Sequence, residues 1–249
     1  VALDQTNDLA ICDKHFQRLI KVEAEWNMAS LEDFRALLIK EPEKAFTDYV
    51  LEIDEVSFDW KDANAGIRAD GGVRDIEWHF EKPNIIKMYP GQGGDKERRI
   101  YYLPWKNKSL TQVTLDKDSP PYFLTSEFSN CRFTIHFHDQ NGNSVTVMHV
   151  AGDVKGEGGF TGGNTRNDME AQNAPPLPVV RTRRMSVSKP QPSVQGASWK
   201  KYNASAKDTV YYDSKAVVFG FRKGDGGWVF YAQNLDANKV GKGLIDLSA

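Results

Sequence analysis

The chain has 249 residues, 40% hydrophobic and 27% charged, the make-up of an ordinary globular protein with enough apolar mass for a sizeable core. Its formal charge of −2 gives no global attraction to nucleic acid or anionic lipid, so neither is expected as a partner. No apolar run approaches the roughly 18–20 residues of a membrane span, so the reading is of a soluble chain.

The chain starts at Val1 with no apolar signal segment, which reads as a trimmed or processed form without a signal peptide. Its two cysteines, Cys12 and Cys131, lie far apart and in different kinds of element. A reducing, cytosol-like working environment fits them better than a disulfide framework.

Two helical segments come first. Leu9, Cys12, Phe16, Leu19 and Ile20 recur at near-helical spacing between Asp8 and Trp26, which makes Cys12 a core residue. Ser30-Leu31-Glu32-Asp33 resembles a capping box, and Phe34, Leu37, Leu38, Ala45, Phe46 and Tyr49 continue an apolar face that Pro42 interrupts.

From residue 50 the period changes to two. Short β-like runs are expected at Leu51–Trp60, Arg74–Phe80, Asn84–Tyr89, Arg98–Leu103 and Leu110–Leu115, with Gly-, Asp- or Pro-rich separators. A central hairpin, Val179–Val187, Thr209–Tyr212 and a hairpin pairing Ala216–Phe221 with Trp228–Gln233 follow. The expected fold class is α+β, with N-terminal helices packed on a largely antiparallel, twisted β-sheet or sandwich. One domain is expected over residues 1–249, helical from about residue 5 to 50 and β-rich from about residue 51 to 249.

Asp153–Pro178 is rich in glycine and proline and has little apolar content, which reads as a long irregular loop framing a site entrance. It lacks the Gly-x-x-x-x-Gly-Lys-Ser/Thr pattern of a phosphate loop. Arg181-Thr182-Arg183-Arg184 reads as an edge strand guarded by charge. His136 and His138 form a His-x-His pair, but no third ligand has the spacing for zinc, and neither metal nor cofactor is expected.

The chemistry concentrates in the central hairpin. Cys131, Phe133, Ile135 and Phe137 share one face of the first strand, and Val145, Val147, His149 and Ala151 share one face of the second. Both apolar faces are buried together only if the loop is the three residues Gln140-Asn141-Gly142, with a left-handed glycine. That register sets Phe133 opposite His149 and Ala151 opposite Cys131, making Cys131 and His149 diagonal neighbours roughly 5–8 Å apart. A thiol and an imidazole so placed are a candidate nucleophile and base. The polar turn at Ser129-Asn130 would offer backbone N–H groups to an oxyanion. The plain alternative is that both side chains are core residues.

Thr125 lies six positions ahead of Cys131, and Phe128-Ser129-Asn130-Cys131 precedes a strand that bears a histidine. This arrangement resembles the site of the bacterial glutamine-deamidase toxins of the cytotoxic necrotizing factor and Burkholderia lethal factor group. Their motif reads Leu-Ser-Gly-Cys followed by a histidine, with a threonine at the Thr125 spacing in the lethal factor subgroup. Asn130 stands where that family has glycine, and asparagine tolerates a left-handed backbone better than most residues. The resemblance implies a hydrolase with Cys131 as nucleophile, His149 as base and Thr125 as orienting group. It also implies a monomeric toxin or virulence effector, secreted or injected and acting in a host cytosol. Its substrate would be a protein such as a host GTPase or a translation factor. Transglutamination and peptide cleavage use the same parts, and a non-enzymatic effector or adaptor binding domain is the alternative from another class.

Overall fold

Pro42 sets the first boundary in the fold. The computed structural model describes residues 31–53, 72–82, 84–91, 99–152, 163–175, 177–187, 208–238 and 241–248. Residues 31–40 form helix α1, and α2 (Pro42–Asp48) begins on the proline. A first-turn proline lacks only an N–H that no helical carbonyl would have accepted, so it breaks one helix and opens the next. Phe34, Leu38, Ala45 and Phe46 are buried along the resulting apolar stripe.

Thirteen strands follow among the described residues: β1 (Val50–Ile53), β2 (Gly72–Lys82), β3 (Ile85–Pro90), β4 (Arg99–Leu103), β5 (Leu110–Leu115), β6 (Tyr122–Thr125), β7 (Arg132–Phe137), β8 (Val145–Val150), β9 (Arg181–Val187), β10 (Thr209–Tyr212), β11 (Lys215–Arg222), β12 (Trp228–Leu235) and β13 (Gly241–Asp246). A third helix, α3 (Gly163–Gln172), lies between β8 and β9. The fold is predominantly β. One sheet has eight strands in the order β1-β3-β2-β4-β6-β11-β12-β13, and the other has five in the order β10-β9-β7-β8-β5. Most neighbours are antiparallel, while β1–β3, β4–β6 and β9–β10 are parallel.

The sheets lie face to face as a sandwich. Cys131, Phe133, Ile135, Phe137, Val145 and Val147 from the smaller sheet meet Phe123, Val218, Phe230 and Ala232 from the larger. Each fully buried large apolar side chain contributes about 1.5–3 kcal/mol. The opposite face of the larger sheet carries a second cluster, in which Phe34 packs edge-on to Trp78 and Phe46 stacks on Phe219. Gln233 in β12 fastens the helix-to-strand junction. Its amide oxygen accepts from the Leu51 N–H at 2.8 Å, and its amide nitrogen donates to the carbonyls of Phe46 at 2.8 Å and Tyr49 at 2.5 Å.

The hairpin register is the one the alternation requires. Phe133 pairs with His149 and Phe137 with Val145, and Gly142 is left-handed at φ 72°. The Asp139 carboxylate accepts from the backbone N–H groups of Asn141, Asn143 and Ser144 and fixes the turn.

Two expectations need correction. Residues 163–172 are helical, where Asp153–Pro178 was expected to be irregular throughout. Strand β9 is interior, between β10 and β7, and not a charge-guarded edge. Its arginines are used inside the fold: Arg184 pairs with Glu170, and the Arg181 guanidinium lies 4.0 Å from the centre of the Phe137 ring and donates to the Ser248 carbonyl. Strands β6 and β13 escape the alternation, β6 because it has four residues behind Pro120-Pro121 and β13 because two glycines interrupt it. The helix at Asp8–Trp26, the Ser30 cap, Cys12 and the end of the Leu51–Trp60 run lie outside the described residues.

Candidate active site

Thr125 ends β6, opposite Leu103 in the parallel β4–β6 pairing. Its hydroxyl donates to the Leu103 carbonyl at 2.7 Å and lies 2.8 Å from Nδ1 of His149. A hydroxyl has one proton. Since that proton goes to Leu103, the contact with His149 must run the other way, with Nδ1–H donating to the threonine oxygen. Thr125 therefore fixes the imidazole tautomer and leaves the lone pair on Nε2. Nε2 is buried and, among the described residues, has no hydrogen-bond partner.

Burial pushes the pKa of His149 down to about 3, so the ring is neutral through the physiological range. Phe128 lies flat against it, with ring centroids 4.0 Å apart and planes 14° apart, and screens that face from water. A neutral imidazole in such a place takes up a proton only when an anion forms beside it.

Cys131 lies just before β7, on the inner face that also carries Phe133 and one register step from His149. It carries a thiol, not a disulfide, and is 6% exposed. The register pairs Phe133 with His149, and Cys131, two residues before Phe133, lies on the same inner face. The lone pair on Nε2 shows that no thiol–imidazole hydrogen bond joins them in this resting geometry.

The turn before the cysteine is built to fixed dimensions. Phe128 exchanges two backbone hydrogen bonds with Ala216, at 2.7 and 3.1 Å. Ser129 and Asn130 are exposed, and Asn130 has φ 91°, in the left-handed region that asparagine tolerates better than most residues. Gly152 passes so close behind that a β-carbon there would sit 2.6 Å from the Asn130 carbonyl oxygen.

The Asn130 N–H, one of the groups expected to face an oxyanion, already has a partner. It donates at 3.0 Å to the Tyr212 hydroxyl, which donates in turn to the Cys131 carbonyl at 3.0 Å. Tyr212 thus clamps the two peptide units that flank the Asn130–Cys131 link. Burial raises the pKa of its hydroxyl, which stays protonated.

Helix α3 supplies side chains that periodicity missed. Glu170, 4% exposed, accepts from Arg132 at 3.1 Å, Thr134 at 2.9 Å and Arg184 at 2.9 Å. Burial alone would raise its pKa, but the two guanidinium groups outweigh this and hold it below the usual carboxylate range. Arg132 also donates to Asn167 at 2.6 Å, and Arg166 donates to the Asn130 carbonyl at 3.1 Å. The one sequence signal for this was Arg132, a charged residue directly after the cysteine.

The histidines of the His-x-His pair bind protein groups: His136 Nδ1 lies 2.9 Å from Thr182 Oγ1, and His138 contacts the Pro178 carbonyl and Thr146. Among the described residues no three His, Cys, Asp or Glu side chains are grouped to hold a metal ion. None of the described helices is long and apolar enough to cross a membrane. No protein-family model matches the chain, and no curated protein matches it either.

Proposed function

We propose that this chain is a cysteine-dependent deamidase of glutamine side chains in proteins, a hydrolase of the toxin or effector kind. One observation supports the reading: Thr125 locks His149 as the Nδ1–H tautomer, with a buried, unpartnered Nε2, and His149 pairs in register with Phe133, two residues after Cys131. A core histidine kept only for packing would have no need of a bare lone pair, which leaves a buried polar atom unsatisfied.

In the mechanism His149 Nε2 takes the thiol proton as the Cys131 sulfur attacks the carboxamide carbon. The tetrahedral intermediate expels ammonia, which receives that proton, and a thioester remains. Water activated by the same nitrogen cleaves the thioester, releasing glutamate and restoring the thiol. Both side chains are buried at rest, so substrate binding must shift the exposed Ser129-Asn130 turn and let Nε2 meet the sulfur. By resemblance the substrate is a host protein such as a GTPase or a translation factor, met by a soluble, monomeric effector in a host cytosol. Transglutamination would follow if an amine replaced water, and peptide cleavage if the leaving group were a backbone amine.

Intact-mass measurement of candidate proteins after incubation tests this. A gain of about one dalton per site is expected, because the thioester route replaces an amide by an acid. The gain should vanish with Cys131→Ser and His149→Ala. The burial of Cys131 and His149 favours a second reading, a non-enzymatic effector or adaptor binding domain. Iodoacetamide separates the two: a nucleophilic Cys131 is alkylated at neutral pH faster than Cys12, and a core Cys131 is not.

A further inference from the structure

Helix α3 grips the cysteine from both sides. Arg166 holds the carbonyl of the preceding residue, Asn130, while Asn167 and Glu170 hold the side chain of the following residue, Arg132. The Asn130 carbonyl and the Cys131 N–H belong to one planar trans peptide unit and point in opposite directions. A guanidinium fixed on that carbonyl therefore fixes where the Cys131 N–H points.

The same contact brings a charge close. Only about 3.8 Å separates the α-carbons of Asn130 and Cys131. Arg166 has a buried Nε with no hydrogen-bond partner, and among the described residues no carboxylate is paired with it. The other titratable groups near the cysteine are His149 of β8, on the inner face, and Tyr212 of β10, on the cysteine's carbonyl; Arg132 of β7, Glu170 of α3 and Arg184 of β9 are ion-paired on the opposite face of β7, and Lys215 pairs with Glu127 ahead of the turn. His149 and Tyr212 are neutral. The Arg166 guanidinium, held on the peptide unit that leads into the cysteine and not paired with a carboxylate among the described residues, gives an electropositive setting of the kind that favours thiolate over thiol.

We propose that Arg166 is the positioning residue for Cys131: it orients the peptide unit that leads into the cysteine and supplies the cation that stabilises the thiolate. The inference rests on the reading of Cys131 as a nucleophile. It also gives α3 a purpose that its polar sequence lacks as a packing helix.

The test is the pH–rate profile for iodoacetamide alkylation of Cys131, read by mass spectrometry on the Cys131 peptide so that Cys12 does not contribute. In Arg166→Gln the midpoint should rise by about one pH unit, the size expected on losing a nearby opposite charge. Arg166→Lys keeps the charge and should restore most of the shift, which a merely structural role would not do. An Arg166→Gln midpoint within about 0.2 unit of wild type, in a folded protein with a reactive cysteine, overturns this inference alone. A Cys131 that reacts no faster than Cys12 overturns the nucleophile reading and this inference with it.

The unmodified protein offers a second readout should Arg166→Gln not fold. Beside a fixed cation, anionic iodoacetate should gain on neutral iodoacetamide several-fold relative to the same thiol in urea. A ratio no higher than in the unfolded chain would overturn the proposal.

Discussion

Replacing Thr125 by valine keeps the branched shape and removes the hydroxyl, so it isolates the tautomer lock. The hydroxyl makes two buried hydrogen bonds, to the Leu103 carbonyl and from His149 Nδ1–H. The Leu103 carbonyl keeps a second donor, the Ser126 N–H at 3.4 Å, whereas Nδ1–H is left without an acceptor. One lost bond and one stranded donor together amount to about 2–4 kcal/mol. For a chain of this length that is a fall in Tm of roughly 5–12 °C. Urea unfolding followed by tryptophan fluorescence should give the same energy with an unchanged m-value. Without its acceptor the ring is free to carry its proton on Nε2, where it no longer accepts the thiol proton. Deamidation should then drop by about 10²-fold or more, the usual contribution of a general base. Thr125→Ser keeps the lock and should stay within a few-fold of wild type. Nitrogen-15 NMR of the imidazole reports the tautomer directly. A wild-type His149 protonated on Nε2, or a Thr125→Val protein within ~0.5 kcal/mol of wild type, would refute the reasoning.

Stability should depend on pH through two buried histidines. Burial lowers His149 to about 3 and His136 to about 4, below the unfolded value of 6.5, so their contribution is complete above pH 6.5 and is lost as pH falls. From pH 7 to pH 5, above the range of most carboxylates, the loss should reach about 3–4 kcal/mol. Urea midpoints across that window check it, and a flat profile would contradict the burial of both rings. Glu170→Gln strands two guanidinium groups and should destabilise by about 3 kcal/mol. Hydrogen exchange should localise the loosening to residues 163–172, and unchanged protection there would show that α3 is held by something else. In Gly152→Ala a β-carbon would press backbone against backbone at Asn130, for a loss of about 1–3 kcal/mol. Alkylation of Cys131 should change with it, since the turn must move; an unaltered rate would mean that the turn is not set from behind.

The hairpin was legible because its information is local. Alternation in Cys131–Phe137 and Val145–Ala151, with Asn141-Gly142 between them, admits one register that buries both apolar faces. The left-handed Asn130 was legible for the same reason, as a property of one residue in one turn. Helix α3 was not, because it is fastened by Glu170 to arginines on two strands, and an ion pair between distant residues leaves no period in the sequence. Nor could the sequence reveal that Tyr212 would occupy the Asn130 N–H, since the two residues are 82 positions apart. Thr125 enters the sequence reading only through the resemblance, by its spacing from Cys131. Its effect on the histidine tautomer depends on Leu103, which only the parallel pairing of β4 and β6 supplies.

The three hydrogen bonds of Gln233 bear on the order in which the chain can assemble. They join residues 46, 49 and 51 to a side chain more than 180 positions later, and β6 must likewise wait for β11 to gain its second neighbour. The five-stranded sheet lies largely between those partners in sequence, so it can form as a unit of its own while the larger sheet is still half built. On a ribosome this means that the β7–β8 hairpin exists before the face that will cover it. Such non-local closure favours slow folding with apolar surface exposed in the interval. Synthesis arrested before β12 would leave the Phe46 and Tyr49 carbonyls and the Leu51 N–H without their partner, and an otherwise complete N-terminal half that a chaperone would still bind.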